Sequence, residues 1–527
     1  MLREASVLRA IGHVYKVGDT DLFPTLPEFQ FFVRNPAETA VAIEALGIGN
    51  YNPVGAVEVL TPKSTLGFRI GHQLTAADIL IYTAAIIETA DGIQALRDRV
   101  SGEIPFSYRY DPNGEHLLFE KKRGYHDWLG SLAKLGSSTP FKDAEPVLET
   151  DISDFYQRIY SHRIENLLAD VEAPNRSGDA IKKIISVSRT KQSHGIPVGS
   201  SASRLLAEGL LTDTDKILRD LELSASRFVD DYRIVANDKH STHSVLCRLA
   251  EHLMTTEGLS LNPSKTRVTN TKELRTQVDK RLGDVFSSAE FQQLRALIDD
   301  IYGDEDDVED EDAVAVDNPF LGGDDILERL DELKAGGVTD SSARKALLKA
   351  FSAVRDFDVE RLIRDHSDLA YYLPRDFAKA ILYASTDGRW DGQRLAEPIW
   401  TLLNTAPISE LPYARLWLLH LYARGVIPAD RRIVDAQLRN RSPLEERQII
   451  FIRHRLNDRA FFRQARGHLG QLGEWSKPAL LIGGLCLPAD EYTNWVDMVA
   501  PQIAHPMAKQ FCQWLKTRPS FDELLND

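Results

Sequence analysis

Two predicted strand ends that carry aspartates constrain the fold of this chain more than any other feature. Residues 147–152 are typical of a β-strand, and Asp151 lies at its end. Residues 227–236 predict two short strands joined tightly through Asp230 and Asp231, because aspartate favours turns. If both elements belong to one antiparallel sheet, two or three carboxylates converge on one surface.

Carboxylates this close together repel each other unless a cation compensates their charge. Hard oxygen ligands suit Mg²⁺ or Mn²⁺. Two such ions can hold a nucleoside triphosphate and activate a hydroxyl group for in-line attack. An isolated pair of aspartates is nearly always an ordinary turn, but here a second strand end adds a further carboxylate. The pattern therefore indicates a candidate metal site.

The charge balance and the cysteine content exclude several classes of protein. The 527 residues include 63 Lys plus Arg and 78 Asp plus Glu, a net charge of −15. This argues against non-specific coating of nucleic acid or membranes, so any nucleic-acid site must be a local basic channel. Three distant cysteines provide neither a disulfide framework nor a zinc site. No apolar stretch approaches the ~20 residues that span a bilayer, so we expect a soluble, cytoplasmic protein with no membrane partner.

A strongly acidic run divides the chain into two regions. Residues 299–325 predict a solvated linker, because densely packed like charges resist folding; an exposed insertion with no role is the alternative. Short β-rich runs alternate with helices over residues 1–280, which predicts an α+β region. Over residues 281–527 apolar residues recur at helical spacing, which predicts an all-α domain.

Two segments of the second region begin alike. Leu373-Pro374 and Leu411-Pro412 each precede a helical pattern with similar residues. This similarity would suit a HEAT-like solenoid in which each proline lies in a first helical turn. Because there are only two weak copies, a non-repetitive helical bundle is an equally good interpretation.

Further sequence blocks surround the aspartates in a fixed order. Phe228-Val229-Asp230-Asp231 resembles the catalytic box of reverse transcriptases. Four other segments resemble further blocks of that family. Residues 62–69 resemble the fingers segment, 151–156 the first palm block, 195–200 the block that opens the helix beneath the nucleotide, and 261–266 the lysine block. The similarity covers roughly residues 55–270 and implies a right-hand polymerase with fingers and palm.

The resemblance also implies a role for individual residues. The implied catalytic residues are Asp151, Asp230, Asp231 and Lys265. Two ions, Mg²⁺ or Mn²⁺, would be bound by Asp151, Ile152, Asp230 and Asp231. The implied nucleotide-binding residues are Lys63, Arg69, Tyr156, Gly195, Pro197 and Gly199. In this scheme Lys63 and Arg69 grip the triphosphate, Tyr156 excludes a ribose 2′-hydroxyl group, and Lys265 protonates the leaving pyrophosphate.

Elementary chemistry agrees with several of these roles. Lys63 and Arg69 flank a turn that contains glycine, so two cations can face one triphosphate. Gly195 and Gly199 bracket a tight turn at a predicted helix start, where backbone N–H groups can approach a ligand closely. Each of these signals alone would indicate ordinary surface residues. They support a polymerase only because the sequence blocks occur in the order of the family.

Two departures from the family pattern concern the template. Reverse transcriptases usually have glutamine at the place of Val198, and a valine side chain offers no hydrogen bond. No basic thumb is evident after Lys265, although a thumb normally clamps template and primer through phosphate contacts. Both departures argue against templated synthesis.

Together with a long helical second half, these features resemble the bacterial abortive-infection reverse transcriptases, and within them the P2-prophage type. That resemblance implies antiphage defence, a HEAT-like domain in place of the thumb, homo-oligomers and untemplated DNA synthesis from a protein hydroxyl group. The substrates would be deoxynucleoside triphosphates, and the product single-stranded DNA attached covalently to the protein. The alternatives are a templated, retron-like RNA-directed DNA polymerase and a catalytically silent palm that serves as a scaffold.

A protein hydroxyl group can replace the primer strand that a thumb would hold. Tyrosine is the most suitable donor, because its phenolic oxygen lies on a long rigid stem and ionises more readily than a serine hydroxyl group. Tyr15 and Tyr51 precede the fingers segment in stretches with few structure-forming signals, so both are candidate priming residues. The alternative is that both are ordinary packed aromatics.

Overall fold

The computed structural model describes most of the chain. The described residues are 2–20, 22–47, 51–63, 67–114, 117–132, 134–136, 145–189, 193–237, 240–283, 322–335, 341–354, 357–385, 391–436, 441–465, 467, 469–503 and 507–525. Most of the predicted acidic linker, 299–321, lies outside them. Its last residues belong to a helix that begins at Gly323, and the linker itself stays a prediction.

Three helices and a hairpin begin the first region. The elements are α1 (Glu4–Val17), α2 (Phe29–Arg34), α3 (Pro36–Leu46), β1 (Val57–Pro62) and β2 (Phe68–Gln73). The two strands are antiparallel, with Val57 opposite Gln73 and Pro62 opposite Phe68. The described residues of the predicted fingers segment therefore lie at the end of this pair of strands, the fingers hairpin, and residues 64–66 of the predicted turn lie outside the described residues.

The helix α4 (Ala76–Val100) forms the centre of the first region. It is buried on all sides over most of its length, and the Thr75 side chain caps its first turn by accepting a hydrogen bond from the Asp78 N–H group. A helix that is apolar all round belongs in a core. Among the described residues it is the one helix that length and composition would allow to cross a membrane, but most of it is buried inside the protein.

An antiparallel sheet with surrounding helices follows. The elements are α5 (Tyr125–Leu132), β3 (Pro146–Asp151), α6 (Phe155–Arg158), α7 (Ser161–Asp170), α8 (Asn175–Ser188), α9 (Ser201–Leu210), α10 (Thr212–Asp220), β4 (Ser224–Phe228), β5 (Asp231–Val235), α11 (Thr242–His252), β6 (Arg267–Asn270) and α12 (Thr271–Gly283). The strand order is β4-β5-β3-β6, and every neighbouring pair is antiparallel. Both the predicted strand that ends at Asp151 and the predicted hairpin are confirmed.

In the described residues of the second region, the regular elements are helices. Its helices are α13 (Gly323–Ala335), α14 (Ser341–Val354), α15 (Val359–Asp365), α16 (Leu369–Tyr372), α17 (Pro374–Ser385), α18 (Gln393–Asn404), α19 (Pro412–Arg424), α20 (Arg431–Asp435), α21 (Pro443–Arg455), α22 (Arg459–Ala465), α23 (Ser476–Gly483), α24 (Ala489–Val499), α25 (Ala508–Leu515) and α26 (Phe521–Leu525). Pro374 and Pro412 each begin a helix, as predicted.

Helices of this region pack in a row. Contacts join α14 to α17, α17 to α19, α19 to α21, α21 to α23 and α23 to α25. Helices that are neighbours in this row are thus two or three helices apart along the chain. This packing agrees with the all-α prediction, and the HEAT-like assignment stays a prediction.

The helical region is attached to the beginning of the chain by buried polar contacts. The carbonyl group of Leu22 accepts hydrogen bonds from the Tyr413 hydroxyl group at 2.7 Å and from the Trp417 indole N–H group at 3.1 Å. Arg447 forms a buried ion pair of 2.7 Å with Glu28. The predicted boundary at residue 280 stays a prediction, and α12 runs through it.

Breaking that buried ion pair should destabilise the protein. We expect Arg447→Ala to lower the free energy of unfolding by about 3–5 kcal/mol, because it leaves the Glu28 carboxylate buried without its cation. The matched control is Arg463→Ala, which removes a bidentate but exposed pair with Glu491 and should lower the free energy of unfolding much less, because water screens an exposed pair. Urea unfolding followed by tryptophan fluorescence measures both, and equal losses would contradict the prediction.

Candidate active site

One end of the sheet brings the three predicted aspartates together. Asp151 is the last residue of β3 and lies opposite Asp231, the first residue of β5. Asp230 occupies the turn directly before Asp231, and its carbonyl group accepts a hydrogen bond from the Ile152 N–H group at 3.0 Å. The four residues predicted to bind metal are therefore neighbours in space, and their role as ligands stays a prediction.

The electrostatics of Asp230 fit a site that requires a cation. Burial and the negative charge of Asp151 raise the pKa of Asp230 to about 7, and the charge of Asp231 adds to this effect. The positive charge of Lys63 acts in the opposite direction, which places the end of the fingers hairpin near the aspartates. Two carboxylates that destabilise each other's charged form are suitable ligands for a divalent cation.

A loop after α11 brings Lys265 to the same place. The Lys265 ammonium group lies 2.7 Å from Oδ2 of Asp151. The backbone N–H group of Asn262 donates to the Asp151 carbonyl group at 2.8 Å, which ties this loop to the end of β3. Although partial burial alone would lower the pKa of Lys265, its hydrogen bond to Asp151 and the surrounding carboxylates raise it. Lys265 therefore carries the proton that a general acid needs.

Asp231 is paired with an arginine of the protein, just as Asp151 is paired with Lys265. Arg233 lies 2.6 Å from Asp231 and 3.3 Å from Glu149, which is also paired with Arg267 at 2.8 Å. Among the described residues no three His, Cys, Asp or Glu side chains form a ready ligand set. Asp231 thus has Arg233 as its partner, and the roles of the three aspartates as metal ligands stay predictions.

Sequence reasoning missed this arginine and glutamate framework. Glu149 lies two residues before Asp151, and Arg233 lies two residues after Asp231. Because side chains alternate along a strand, a spacing of two places these residues on the face of the sheet that carries the aspartates. The spacing of two residues could therefore have predicted that Glu149 and Arg233 lie near the aspartates.

The block 195–200 lies beside α6 and begins α9. Gly195 and Gly199 have φ values of 99° and 115°, which glycine adopts far more readily than other residues. The Ile196 N–H group donates to the Tyr156 carbonyl group at 2.9 Å, and Ser200 caps α9 by accepting from the Ser203 N–H group. The predicted helix start is confirmed, and the half-buried Tyr156 lies next to this turn.

Two of the residues predicted to bind the nucleotide, Pro197 and Arg69, are buried or half-buried. Pro197 is buried within the block, and its predicted part in nucleotide binding stays a prediction. Arg69 is half-buried on β2, and its charge acts on the hydroxyl group of Tyr413 in α19. The charge of Lys63 therefore acts on the aspartates, and the charge of Arg69 acts on a residue of the helical region.

Val198 is fastened to the fingers hairpin by its backbone. Its N–H group donates to Nδ1 of His72 at 3.2 Å, and its carbonyl group accepts from the His72 N–H group, also at 3.2 Å. The valine side chain packs against the hydrophobic core. This connection between β2 and the 195–200 block was not predictable from either segment alone.

The two candidate priming tyrosines have opposite environments. Tyr15 is 55% exposed on α1. Tyr51 is 3% exposed, and its hydroxyl group donates a hydrogen bond to the Asp78 carboxylate. Burial raises the pKa of Tyr51 well above its usual value. The enclosed and engaged hydroxyl group of Tyr51 argues against it as a priming residue, and the role of each tyrosine stays a prediction.

Residues 114–291 match the family model of reverse transcriptase (RNA-dependent DNA polymerase). The chain contains a reverse transcriptase domain. The matched range includes Asp151, Asp230, Asp231 and Lys265, and the fingers hairpin precedes it. The protein is therefore a nucleotidyltransferase of the DNA polymerase class.

Two solved structures of similar chains were also found. Apo telomerase from Candida tropicalis is 12% identical with a TM-score of 0.32, covering 70% of this chain and 69% of that chain. Telomerase from Candida albicans, in complex with a fragment of telomeric RNA, is 12% identical with a TM-score of 0.31, covering 72% of this chain and 68% of that chain. TM-scores this low do not establish a shared fold. The comparison with curated proteins gave no match.

Reverse transcriptase domains use divalent metal ions, and the aspartates of this site fit such ions. A bound ion would compensate the charge of a triphosphate and activate the attacking hydroxyl group. Asp151 and Asp230 would hold it, Lys63 would attract the phosphates, and Lys265 would donate its proton to the leaving pyrophosphate.

Proposed function

We propose that this protein is an antiphage, abortive-infection polymerase that makes DNA from deoxynucleoside triphosphates without copying a template. The observation that carries the proposal is the environment of Val198. Both of its backbone polar groups are engaged with His72, and its side chain has no hydrogen-bonding group. Nothing at this position can therefore help to align an incoming nucleotide with a template base.

The segment after the palm also supports the proposal. In the described part of the chain, residues after Lys265 form β6 and then α12, which packs against α5 and the sheet. The helices that follow the acidic run hold the beginning of the chain through Leu22 and Glu28. We infer that this HEAT-like region replaces a thumb, and that the protein acts in the cytoplasm as a homo-oligomer with two Mg²⁺ or Mn²⁺ ions.

Sequencing the product tests template use. Purified protein is incubated with Mg²⁺ or Mn²⁺ and labelled deoxynucleotides, with and without RNA strands of defined sequence. We expect single-stranded DNA whose sequence is independent of the added RNA. Faithful complementary DNA would instead favour the templated, retron-like alternative. The Asp230→Asn protein, purified in the same way, controls for a contaminating polymerase.

We further propose that synthesis begins on a tyrosine hydroxyl group of the protein, with Tyr15 as the candidate because its side chain is exposed. Digestion of the labelled product with protease and then nuclease should leave a nucleotide-modified peptide that mass spectrometry identifies. Tyr15→Phe should lose this peptide. Attachment at another tyrosine would refute only the choice of Tyr15, whereas DNA that separates from the protein on denaturation would refute protein priming.

A further inference from the structure

The turn that carries Asp230 contains a residue in an unfavourable backbone conformation. Val229, directly before Asp230, has a φ of 54°, in the left-handed region. Side chains branched at Cβ rarely adopt this region, because their methyl groups crowd the backbone. Such a conformation persists only where the surrounding structure enforces it. The contacts of Val229 therefore bear directly on where the next carboxylate lies.

Two buried side chains hold the backbone of Val229 from both sides. Its N–H group donates to Oγ of Ser107 at 2.9 Å, and its carbonyl group accepts from Nη1 of Arg227 at 2.7 Å. Ser107 and Arg227 are both 0% exposed. Neither water nor movement of a surface side chain can readily replace these two hydrogen bonds.

Ser107 and Arg227 belong to a buried ionic network. Arg227 makes two hydrogen bonds to Asp215, at 2.9 and 2.8 Å, and lies 3.0 Å from Glu208. Glu208 accepts from the Ser107 hydroxyl group at 2.5 Å and from Arg97 at 3.0 Å. Each member fixes the orientation of the next, so the two groups that reach Val229 have little freedom.

Stability alone does not account for this arrangement. Removing charged groups from water is costly, and apolar replacements of a buried ionic network are often equally stable. In addition, two members of the network, Ser107 and Arg227, each form a hydrogen bond with the same residue of the turn, Val229. Hydrogen bonds that hold a strained turn are useful to the enzyme if the carboxylate that follows the turn must be held in place.

We propose that Ser107 and Arg227 are positioning residues for Asp230. By holding Val229 in its left-handed conformation, they place the Asp230 carboxylate where it can bind metal. The proposal rests on the polymerase function, and it holds whether or not a template or a protein primer is used.

The test is Ser107→Ala in the full-length protein, which removes the acceptor for the Val229 N–H group and retains the four charged groups. We expect about tenfold lower kcat for nucleotide incorporation with an unchanged KM for the nucleotide, because the substitution displaces a metal ligand and leaves the nucleotide pocket intact. The Mn²⁺ concentration that gives half of the metal-induced rise in Tm should also increase.

A second substitution separates positioning from general stability. Glycine adopts a positive φ without strain, so adding Val229→Gly to Ser107→Ala should restore most of the lost kcat and the original Mn²⁺ dependence of Tm. The matched control is Ser101→Ala. Ser101 is 1% exposed, and its hydroxyl group has no hydrogen-bond partner among the described residues. Its substitution should change neither quantity.

Wild-type kcat and Mn²⁺ dependence in folded Ser107→Ala protein would overturn the proposal. A loss that Val229→Gly does not reverse would overturn it as well, since that result indicates a purely structural role. If the wild-type protein incorporates no nucleotide, the polymerase function fails, and the Mn²⁺ dependence of Tm still decides the positioning role.

Discussion

Replacing Asp230 with asparagine is expected to abolish nucleotide incorporation while the protein stays folded. The substitution removes one of the three carboxylates that meet at the end of the sheet, and an amide is a poor replacement for a charged ligand to a divalent ion. Because burial and Asp151 both disfavour the charged form of Asp230, the substitution also removes a repulsion. Tm should therefore not fall.

The matched control for this substitution is Asp154→Asn. Asp154 belongs to the same sequence block as Asp151, but its side chain is 60% exposed, and asparagine tolerates its φ of 48°. Incorporation of labelled deoxynucleotides and Tm are measured for both variants. Asp154→Asn should retain wild-type activity. If Asp230→Asn retains most incorporation, the metal-site interpretation fails.

The second large effect is expected at Tyr156. If its ring occupies the space that a ribose 2′-hydroxyl group needs, Tyr156→Ala should raise the ratio of ribonucleotide to deoxyribonucleotide incorporation by about tenfold or more. The backbone at this position is held by the hydrogen bond from Ile196, so the change should act through the lost ring. Single-nucleotide incorporation assays measure the ratio.

Tyr156→Phe is the control for that experiment. Phenylalanine retains the ring and removes only the hydroxyl group, so the ratio should stay at its wild-type value. A ratio that does not change in folded, active Tyr156→Ala protein would contradict the steric role.

The local elements of the site were predictable from the sequence, because strands and turns have short-range signals. The strand-like run of residues 147–152 and the turn-forming Asp230 and Asp231 led to the correct strand, hairpin and meeting point of the carboxylates. The order of the sequence blocks added Lys265, whose contact with Asp151 depends on a loop far along the chain. The local sequence pattern and the order of the blocks were therefore sufficient to predict which residues meet at the centre of the site.

The surroundings of the site could not be predicted in the same way. Arg227 is adjacent to the catalytic box in sequence, but its partners Asp215 and Glu208 come from two helices whose packing has no local signal. The engagement of Tyr51 with Asp78 depends on the same kind of long-range packing. Burial decides whether a hydroxyl group can react, and a single sequence does not report burial for an isolated tyrosine.

The contacts between the two ends of the chain have a consequence for its synthesis. Leu22 receives its hydrogen bond from a residue 391 positions later, and Glu28 receives its arginine from a residue 419 positions later. A ribosome therefore exposes the first segment long before its partners emerge, and contacts of such long range form late in folding. We expect the nascent first half to need protection from aggregation until translation is nearly finished. A chain that ends before α19 would lack the helix that packs against β1 of the fingers hairpin, so we expect incomplete translation products to be inactive.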